Sequence, residues 1–189
     1  MAFWHLGASL WLFRWVFRDP GADVRFLLAG AILPDLIDMP VGALSSADGH
    51  LAGELWTHSL TLPAAFMAVV LLATGRGRRR RAWLALGVGW LLHLLLDAMW
   101  VEERVFLWPL FGLEIGEAAQ ALPRRPGFGD PWLWVGEAVG LGYLVWLWFA
   151  AGLNHRERRR AVIATGRIPD HAAEGARRGP RAGGGRLRG

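Results

Sequence analysis

The chain has no cysteine and no lysine among its 189 residues. Without cysteine it can form neither disulfide bonds nor thiolate metal sites, so any bound metal must be held by histidine and carboxylate side chains. Without lysine it cannot form the Gly-rich phosphate loop that ends in Lys-Ser or Lys-Thr. A G-x-S-x-G motif is also missing, which argues against a serine esterase.

Apolar residues are abundant instead. Hydrophobic residues make up 53% of the chain, 12 of its residues are tryptophan, and the mean hydropathy is +0.27. Such a composition is unusual for a soluble domain and ordinary for a small membrane protein. The 21 basic residues are all arginine and give a net charge of +5, which suits nucleic acid as well as anionic lipid.

Apolar segments predict the fold class. Each is expected to form a helix, and they cover approximately residues 2–17, 26–37, 59–74, 82–100 and 132–153. The last two approach the roughly 20 residues that cross a hydrocarbon core, whereas the first three are short and would need tilt, re-entry or polar extensions. We therefore predict an all-α fold, a polytopic transmembrane bundle of about five helices within residues 1–153.

Arginine clusters predict the orientation of this bundle. One cluster, residues 76–81, separates the third and fourth segments, and another, residues 156–160, follows the fifth. The positive-inside rule places both in the cytoplasm, with the N-terminus outside. Residues 154–189 are rich in Arg and Gly and poor in apolar residues, so they are expected to form a disordered cytoplasmic tail that binds anionic lipid headgroups rather than nucleic acid.

Ionisable residues interrupt the apolar segments, and the predicted topology brings six of them to the outer side of the membrane. They are His5, Asp35, Asp38, His58, His93 and Asp97. The aspartates of the second segment are three residues apart and the His-Asp pair of the fourth is four apart, so each pair projects from one helix face. An ionisable group deep in a membrane costs on the order of 2.5–3.5 kcal/mol, and such groups are usually paired, hydrated or functional.

Carboxylate and neutral imidazole together suit Zn, Mn or Fe. We therefore expect these six residues to form a divalent metal site, with zinc as the first choice. A structural explanation exists for several of them. Pro34 with Asp35 can mark a helix boundary, Thr57 and Ser59 can cap the third helix, and His93 can form an interhelical hydrogen bond.

The order of these motifs resembles a known family. His5 is followed by LPDLID at 33–38, THSL at 57–60, HLLLD at 93–97 and FLWPLFG at 106–112. This order is similar to bacterial and archaeal inner-membrane proteins described as metal-dependent hydrolases, a family with a LexA-regulated member. The resemblance covers about residues 2–112 and implies a multi-helix membrane protein whose metal site is formed by the six residues named above.

The chain departs from this family before the THS element. Many relatives have His-Arg-Gly-Phe there, whereas this chain has Gly-Glu-Leu-Trp, and the nearest histidine is His50. His50 or Glu54 is therefore a candidate for the missing site residue. The alternative is that both are solvated loop residues.

A bound metal ion would favour hydrolysis, because it lowers the pKa of water towards about 7 and polarises a phosphoryl or carbonyl oxygen. Asp35 or Asp97 is the expected acceptor of the water proton. A site at the membrane face suggests an amphiphilic substrate such as a phospholipid or isoprenoid phosphate. The alternative function is a non-catalytic membrane adaptor with an Asp/His polar cluster, and ion passage ranks last because the inner halves of the helices are apolar.

Overall fold

The computed structural model describes residues 1–19, 21–45, 56–112 and 129–168. These residues form α-helices and short 3₁₀ turns, with no strand among them, which confirms the all-α prediction. The helices are α1 (Ala2–Val16), α2 (Val24–Ser45), α3 (Thr61–Ala73), α4 (Arg78–Leu96), α5 (Glu103–Phe106), α6 (Pro131–Ala150) and α7 (Arg156–Thr165). The 3₁₀ turns are Trp56–His58, before α3, and Met99–Val101, after α4.

Helix α2 is longer than predicted. It continues through Pro34 and Pro40 and ends at Ser45, so the interpretation of Pro34 as a helix boundary is wrong. Proline removes one hydrogen bond from the helix, but neighbouring helices can hold the backbone in place. As a consequence, Asp35 and Asp38 lie within the helix and one turn apart.

Glycine residues allow two pairs of helices to touch through their backbones. A Cβ atom at Gly30 of α2 would collide with the carbonyl oxygen of Leu86 in α4, and one at Gly89 of α4 would collide with the carbonyl of Leu27 in α2. A Cβ at Gly7 of α1 would likewise collide with the backbone of α6. Close contacts through small residues are typical of helix packing in membranes.

Length and composition single out α6 among the described helices as one that could cross a membrane, while α3 is apolar but shorter. The predicted bundle of about five spans is therefore not confirmed by this measure. The other long helices carry polar residues, because α2 contains two aspartates and two prolines and α4 begins with four arginines.

The beginning of the C-terminal tail is ordered. Beyond residue 153 the structure describes helix α7 and the residues up to Ile168, which is only 7% exposed and packs in the hydrophobic core. The carbonyl of Gly166 accepts a hydrogen bond from the Val24 N–H at 2.8 Å. The prediction of disorder is thus wrong for this part of the tail, because Val162 and Ile168 supply apolar contacts. Residues 169–189 lie outside the described residues.

Candidate metal site

Helix α2 supplies two carboxylates to the side that faces α4. The Asp38 side chain is fully buried, whereas the Asp35 side chain remains 18% exposed. One turn earlier, the carbonyl oxygen of Ala31 lies 2.8 Å from Nδ1 of His93 in α4. The backbone contact at Gly30 and Gly89 brings the two helices close enough for this hydrogen bond.

His58 lies in the 3₁₀ turn that precedes α3. The Thr57 hydroxyl donates to the Pro34 carbonyl at 3.1 Å, and the Trp90 indole N–H donates to the Thr57 carbonyl at 2.7 Å. These bonds fix the turn between α2 and α4. The His58 ring is completely buried, with Nδ1 2.8 Å from an Asp38 carboxylate oxygen.

These hydrogen bonds determine which ring nitrogens carry protons. A carbonyl or ionised carboxylate oxygen can only accept, so Nδ1 of His93 and Nδ1 of His58 are assigned as donors. In the neutral form of each ring, the lone pair of Nε2 then faces the other ring, and the two Nε2 atoms are 3.3 Å apart. A metal-binding histidine usually donates a hydrogen bond from the ring nitrogen that does not bind the metal.

Four side chains surround this point, each offering one ligand atom, and these atoms all lie within 4.8 Å of one another. Asp97 follows α4, and its Oδ2 is 3.3 Å from the His93 Nε2 and 3.8 Å from the His58 Nε2. The Oδ1 of Asp35 is 3.6 Å from the His58 Nε2 and 3.8 Å from the His93 Nε2.

The four residues fit a divalent cation. Nitrogen ligands about 2.0–2.1 Å from a tetrahedral zinc ion are roughly 3.3–3.4 Å apart. The five separations that involve a histidine nitrogen lie between 3.3 and 3.8 Å, and all four ligand atoms lie within 4.8 Å of one another. Two unprotonated nitrogens at 3.3 Å cannot form a hydrogen bond with each other, whereas a cation between them would satisfy both. This buried Asp/His group could therefore hold a divalent metal ion.

His5 and Asp38 lie beside this group rather than in it. Nε2 of His5 is 2.8 Å from Oδ1 of Asp97, and its Nδ1 is 2.5 Å from the Met1 carbonyl oxygen. The His5 ring also stacks on His93, with 4.2 Å between ring centroids. Asp38 is linked to this group by its hydrogen bond with His58. The structure thus brings all six predicted residues together. His5 contacts Asp97 and His93, and Asp38 contacts His58, but neither residue belongs to the group of four that shares a common point.

Glu137 is a site-supporting residue that the sequence analysis missed. Its carboxylate, on α6, accepts hydrogen bonds from the backbone N–H groups of Phe3 at 3.1 Å and Trp4 at 3.4 Å. It therefore caps the N-terminus of α1, directly before His5. The sequence does contain a signal, because Glu137 is the only acidic residue in the apolar helix α6.

Other sequence features lie close to the site or next to it in the chain. Helix α3 has no side-chain cap, and the Ser59 hydroxyl donates to the Trp56 carbonyl at 2.7 Å within its own turn. The alternative explanation of these polar residues as helix caps is therefore wrong. The FLWP element forms a turn whose Trp108 carbonyl accepts a hydrogen bond from the Thr61 hydroxyl. His50 and Glu54 lie outside the described residues.

The fold and site define an all-helical protein with a buried Asp/His cluster that could bind a divalent metal. The chain belongs to the YdjM inner membrane protein family, whose model matches residues 1–167. This match confirms the inner-membrane family that the motifs indicated, extends through α7, and supports localisation in the membrane. The description of the family names no enzymatic activity. No curated protein and no solved structure matches the chain.

Proposed function

We propose that this protein is a metal-dependent hydrolase of the cytoplasmic membrane, with the ion bound by Asp35, His58, His93 and Asp97. The observation that carries this proposal is the arrangement of the two histidines. Each has its Nδ1 tied to an acceptor and its Nε2 directed to a point shared with two carboxylates. A ligand set of imidazole and carboxylate favours zinc first, with manganese or iron as alternatives.

A divalent ion held by these residues would supply an activated water and polarise a phosphoryl or carbonyl oxygen. Asp35 is the better candidate for proton acceptor, because its side chain is 18% exposed whereas that of Asp97 is 6% exposed. The other oxygen of Asp97 is already held by His5 at 2.8 Å. Asp97 is therefore assigned to binding, and Asp35 to binding and proton transfer.

His5 and Asp38 are assigned supporting roles. Asp38 fixes the ring of His58 and the proton on its Nδ1, as a carboxylate partner does for many metal-binding histidines. His5 holds the carboxylate of Asp97 from the opposite side. Neither residue has to touch the ion for its loss to weaken metal binding.

An apolar groove between α1 and α6 supports an amphiphilic substrate. The groove has a volume of about 480 Å³, and its lining includes Trp4, Trp11, Leu12, Leu96 and Val139. Trp4 and Leu96 are the chain neighbours of His5 and Asp97. From Trp4 to Leu12 the groove follows α1 for about 12 Å, enough for part of one acyl or prenyl chain with its headgroup near the cluster.

The two ends of α4 support the proposed membrane topology. The residues that follow its four arginines cover about 22 Å, less than the roughly 30 Å of a hydrocarbon core, so the long arginine side chains would extend the helix to the interface. Arginines stand at its first turn and the His-Asp pair at its last. Together with the positive-inside rule, this favours a multi-pass protein with the metal site towards the outer face and the C-terminus in the cytoplasm.

Metal content tests the proposal. The full-length protein is purified in detergent and its metal is measured by elemental mass spectrometry, for wild type, His58→Ala, Asp97→Ala and the control His155→Ala. His155 is an exposed residue at the start of α7. We expect nearly one ion per chain in wild type and control, and loss in both site variants. A folded wild type that contains no metal and cannot be reloaded would contradict the proposal.

Hydrolysis is tested separately with the metal-loaded protein. Phosphoester substrates with and without a long hydrocarbon chain are compared, because the groove predicts faster turnover of the amphiphilic ones. Stoichiometric metal without turnover of any substrate would favour the adaptor function over the hydrolase.

A further inference from the structure

A second cavity lies at the opposite end of α4 from the Asp/His cluster. It has a volume of about 400 Å³. Its walls are the loop before α2, the loop before α4 with the first turn of that helix, and the residues at the end of α7. Its charged lining residues are Asp23, Arg76, Arg78, Arg81 and Arg167. A cavity of this size can enclose a small ligand or a headgroup.

Two carboxylates near this cavity are already neutralised by arginine. Arg81 binds both oxygens of Asp19, at 2.9 and 2.7 Å, and Arg25 binds both oxygens of Asp23, at 2.8 and 2.6 Å. Hydrogen bonds from these arginines lower the pKa of Asp19 and of Asp23. Both carboxylates are therefore ionised at neutral pH, and each is paired.

The remaining arginines leave the cavity with an excess of positive charge. Among the described residues, Arg76, Arg78 and Arg167 have no carboxylate within ion-pair distance. Arg78 donates to a neutral group, the Thr165 carbonyl, at 2.9 Å. These guanidinium groups come from two segments that line one cavity, residues 76–78 and Arg167. They match the charge and the multiple acceptor oxygens of a phosphate group.

The N-terminus of α4 also favours an anion in this cavity. Gly77 and Arg78, the N-cap and first residue of the helix, both line the cavity. No side chain caps this end of α4, so its first N–H groups and the positive end of the helix dipole remain available to an anion.

We propose that this arginine-lined cavity is a binding site for a phosphate group, presented either by an anionic phospholipid headgroup or by a soluble phosphate. The site is separate from the proposed metal centre and does not depend on hydrolase activity. Because Thr165 and Arg167 form one wall, the bound phosphate also links the end of α7 to the start of α4.

The test uses two double variants with the same loss of charge. Arg76→Gln with Arg167→Gln removes two cavity arginines, and Arg79→Gln with Arg160→Gln removes two exposed arginines that do not line the cavity. Full-length protein in a neutral detergent is titrated by calorimetry at constant ionic strength, once with short-chain phosphatidylglycerol and once with inorganic phosphate.

We expect one bound phosphate group per wild-type chain. The cavity variant should bind at least about tenfold more weakly, because it loses two charge-assisted contacts, while the control stays within about twofold of wild type. Tighter binding of phosphatidylglycerol identifies a lipid headgroup, and equal or tighter binding of inorganic phosphate identifies a soluble ligand. The proposal is overturned if wild type binds neither probe or if the control weakens as much as the cavity variant.

Discussion

The two ends of α4 carry ionisable residues in opposite settings. At the last turn, His93 is completely buried, and its hydrogen bond to a backbone carbonyl fixes the orientation of its ring. At the first turn, Arg78 and Arg79 are exposed. A buried side chain with fixed partners presents its ligand atom in a defined geometry, whereas the exposed arginines together produce a positive electrostatic field. The two ends of one helix are therefore suited to a metal ion and to an anion, respectively.

The largest effect on the buried end is expected from Gly89→Ala. The added Cβ would collide with the Leu27 carbonyl, which would push α2 away from α4 and separate Asp35 from His93. We expect the free energy of unfolding to fall by about 3 kcal/mol, at the upper end of typical overpacking costs. Unfolding in a titration with a denaturing detergent measures this change.

Gly142→Ala is the matched control for this substitution. A Cβ at Gly142 in α6 would meet no described atom within 4 Å, so the protein should be unchanged or slightly stabilised, by about 0.5–1 kcal/mol. Equal destabilisation by both variants would show that the contact between α2 and α4 has no special importance.

A second prediction concerns the negative charge beside His58. Asp38→Asn keeps an acceptor for the His58 Nδ1–H but removes the negative charge. Loss of such a partner weakens metal binding by about 10–100-fold, equivalent to about 1.4–2.7 kcal/mol. The metal dissociation constant, measured by competition with a chelator, checks this value.

Asp130→Asn is the control for Asp38→Asn, since Asp130 caps α6 through the Trp132 N–H and belongs to no part of the metal site. Its metal affinity should equal that of wild type. If Asp38→Asn also binds metal like wild type, the negative charge of Asp38 does not contribute to metal binding.

Most residues of the site at the last turn of α4 could be predicted from the sequence. Helical spacing places His93 and Asp97 on one face, and the energetic cost of ionisable residues in a membrane indicates a functional or paired role. Sequence spacing could not show which nitrogen of each histidine faces the centre. For this reason it did not distinguish His5 and Asp38 from the other four residues. That distinction depends on hydrogen bonds between residues far apart in the chain, such as His5 with Asp97.

The exposed end was less predictable. Charge alone indicated the arginine clusters and suggested a disordered tail. Helix α7 instead ends at Gly166, which adopts a positive φ of 71°, and Ile168 then enters the core. A few apolar residues, such as Val162 and Ile168, in a region rich in Arg and Gly are too weak a signal to predict such a contact.

A third prediction tests how α6 positions α1. Glu137→Ala removes the acceptor for the Phe3 and Trp4 N–H groups. Loss of an N-terminal cap typically costs about 1 kcal/mol, and the same loss should loosen His5. Glu137→Gln keeps an acceptor oxygen and should recover part of the stability. The two variants are compared in the same detergent titration. Identical stability of wild type and Glu137→Ala would argue against the cap.

The smallest effect is expected at the exposed end, where Arg81 lowers the pKa of Asp19. A carboxylate whose pKa is lowered by folding stabilises the protein above its unfolded pKa, and this contribution is lost as the pH falls through the folded pKa. The loss is therefore expected below about pH 4. Because the Asp19 side chain is 36% exposed and that of Arg81 is 54% exposed, the pair should contribute less than about 1 kcal/mol.

Asp19→Asn removes the titrating group and should make the unfolding free energy less dependent on pH in this acidic range. The difference from wild type should also shrink in high salt, because the pair is exposed and screened. Metal binding at the Asp/His cluster should depend less on salt, since buried groups are screened much less. If salt changed metal binding at the Asp/His cluster as strongly as it changes the Asp19 pair, the contrast between a buried and an exposed end of α4 would not hold.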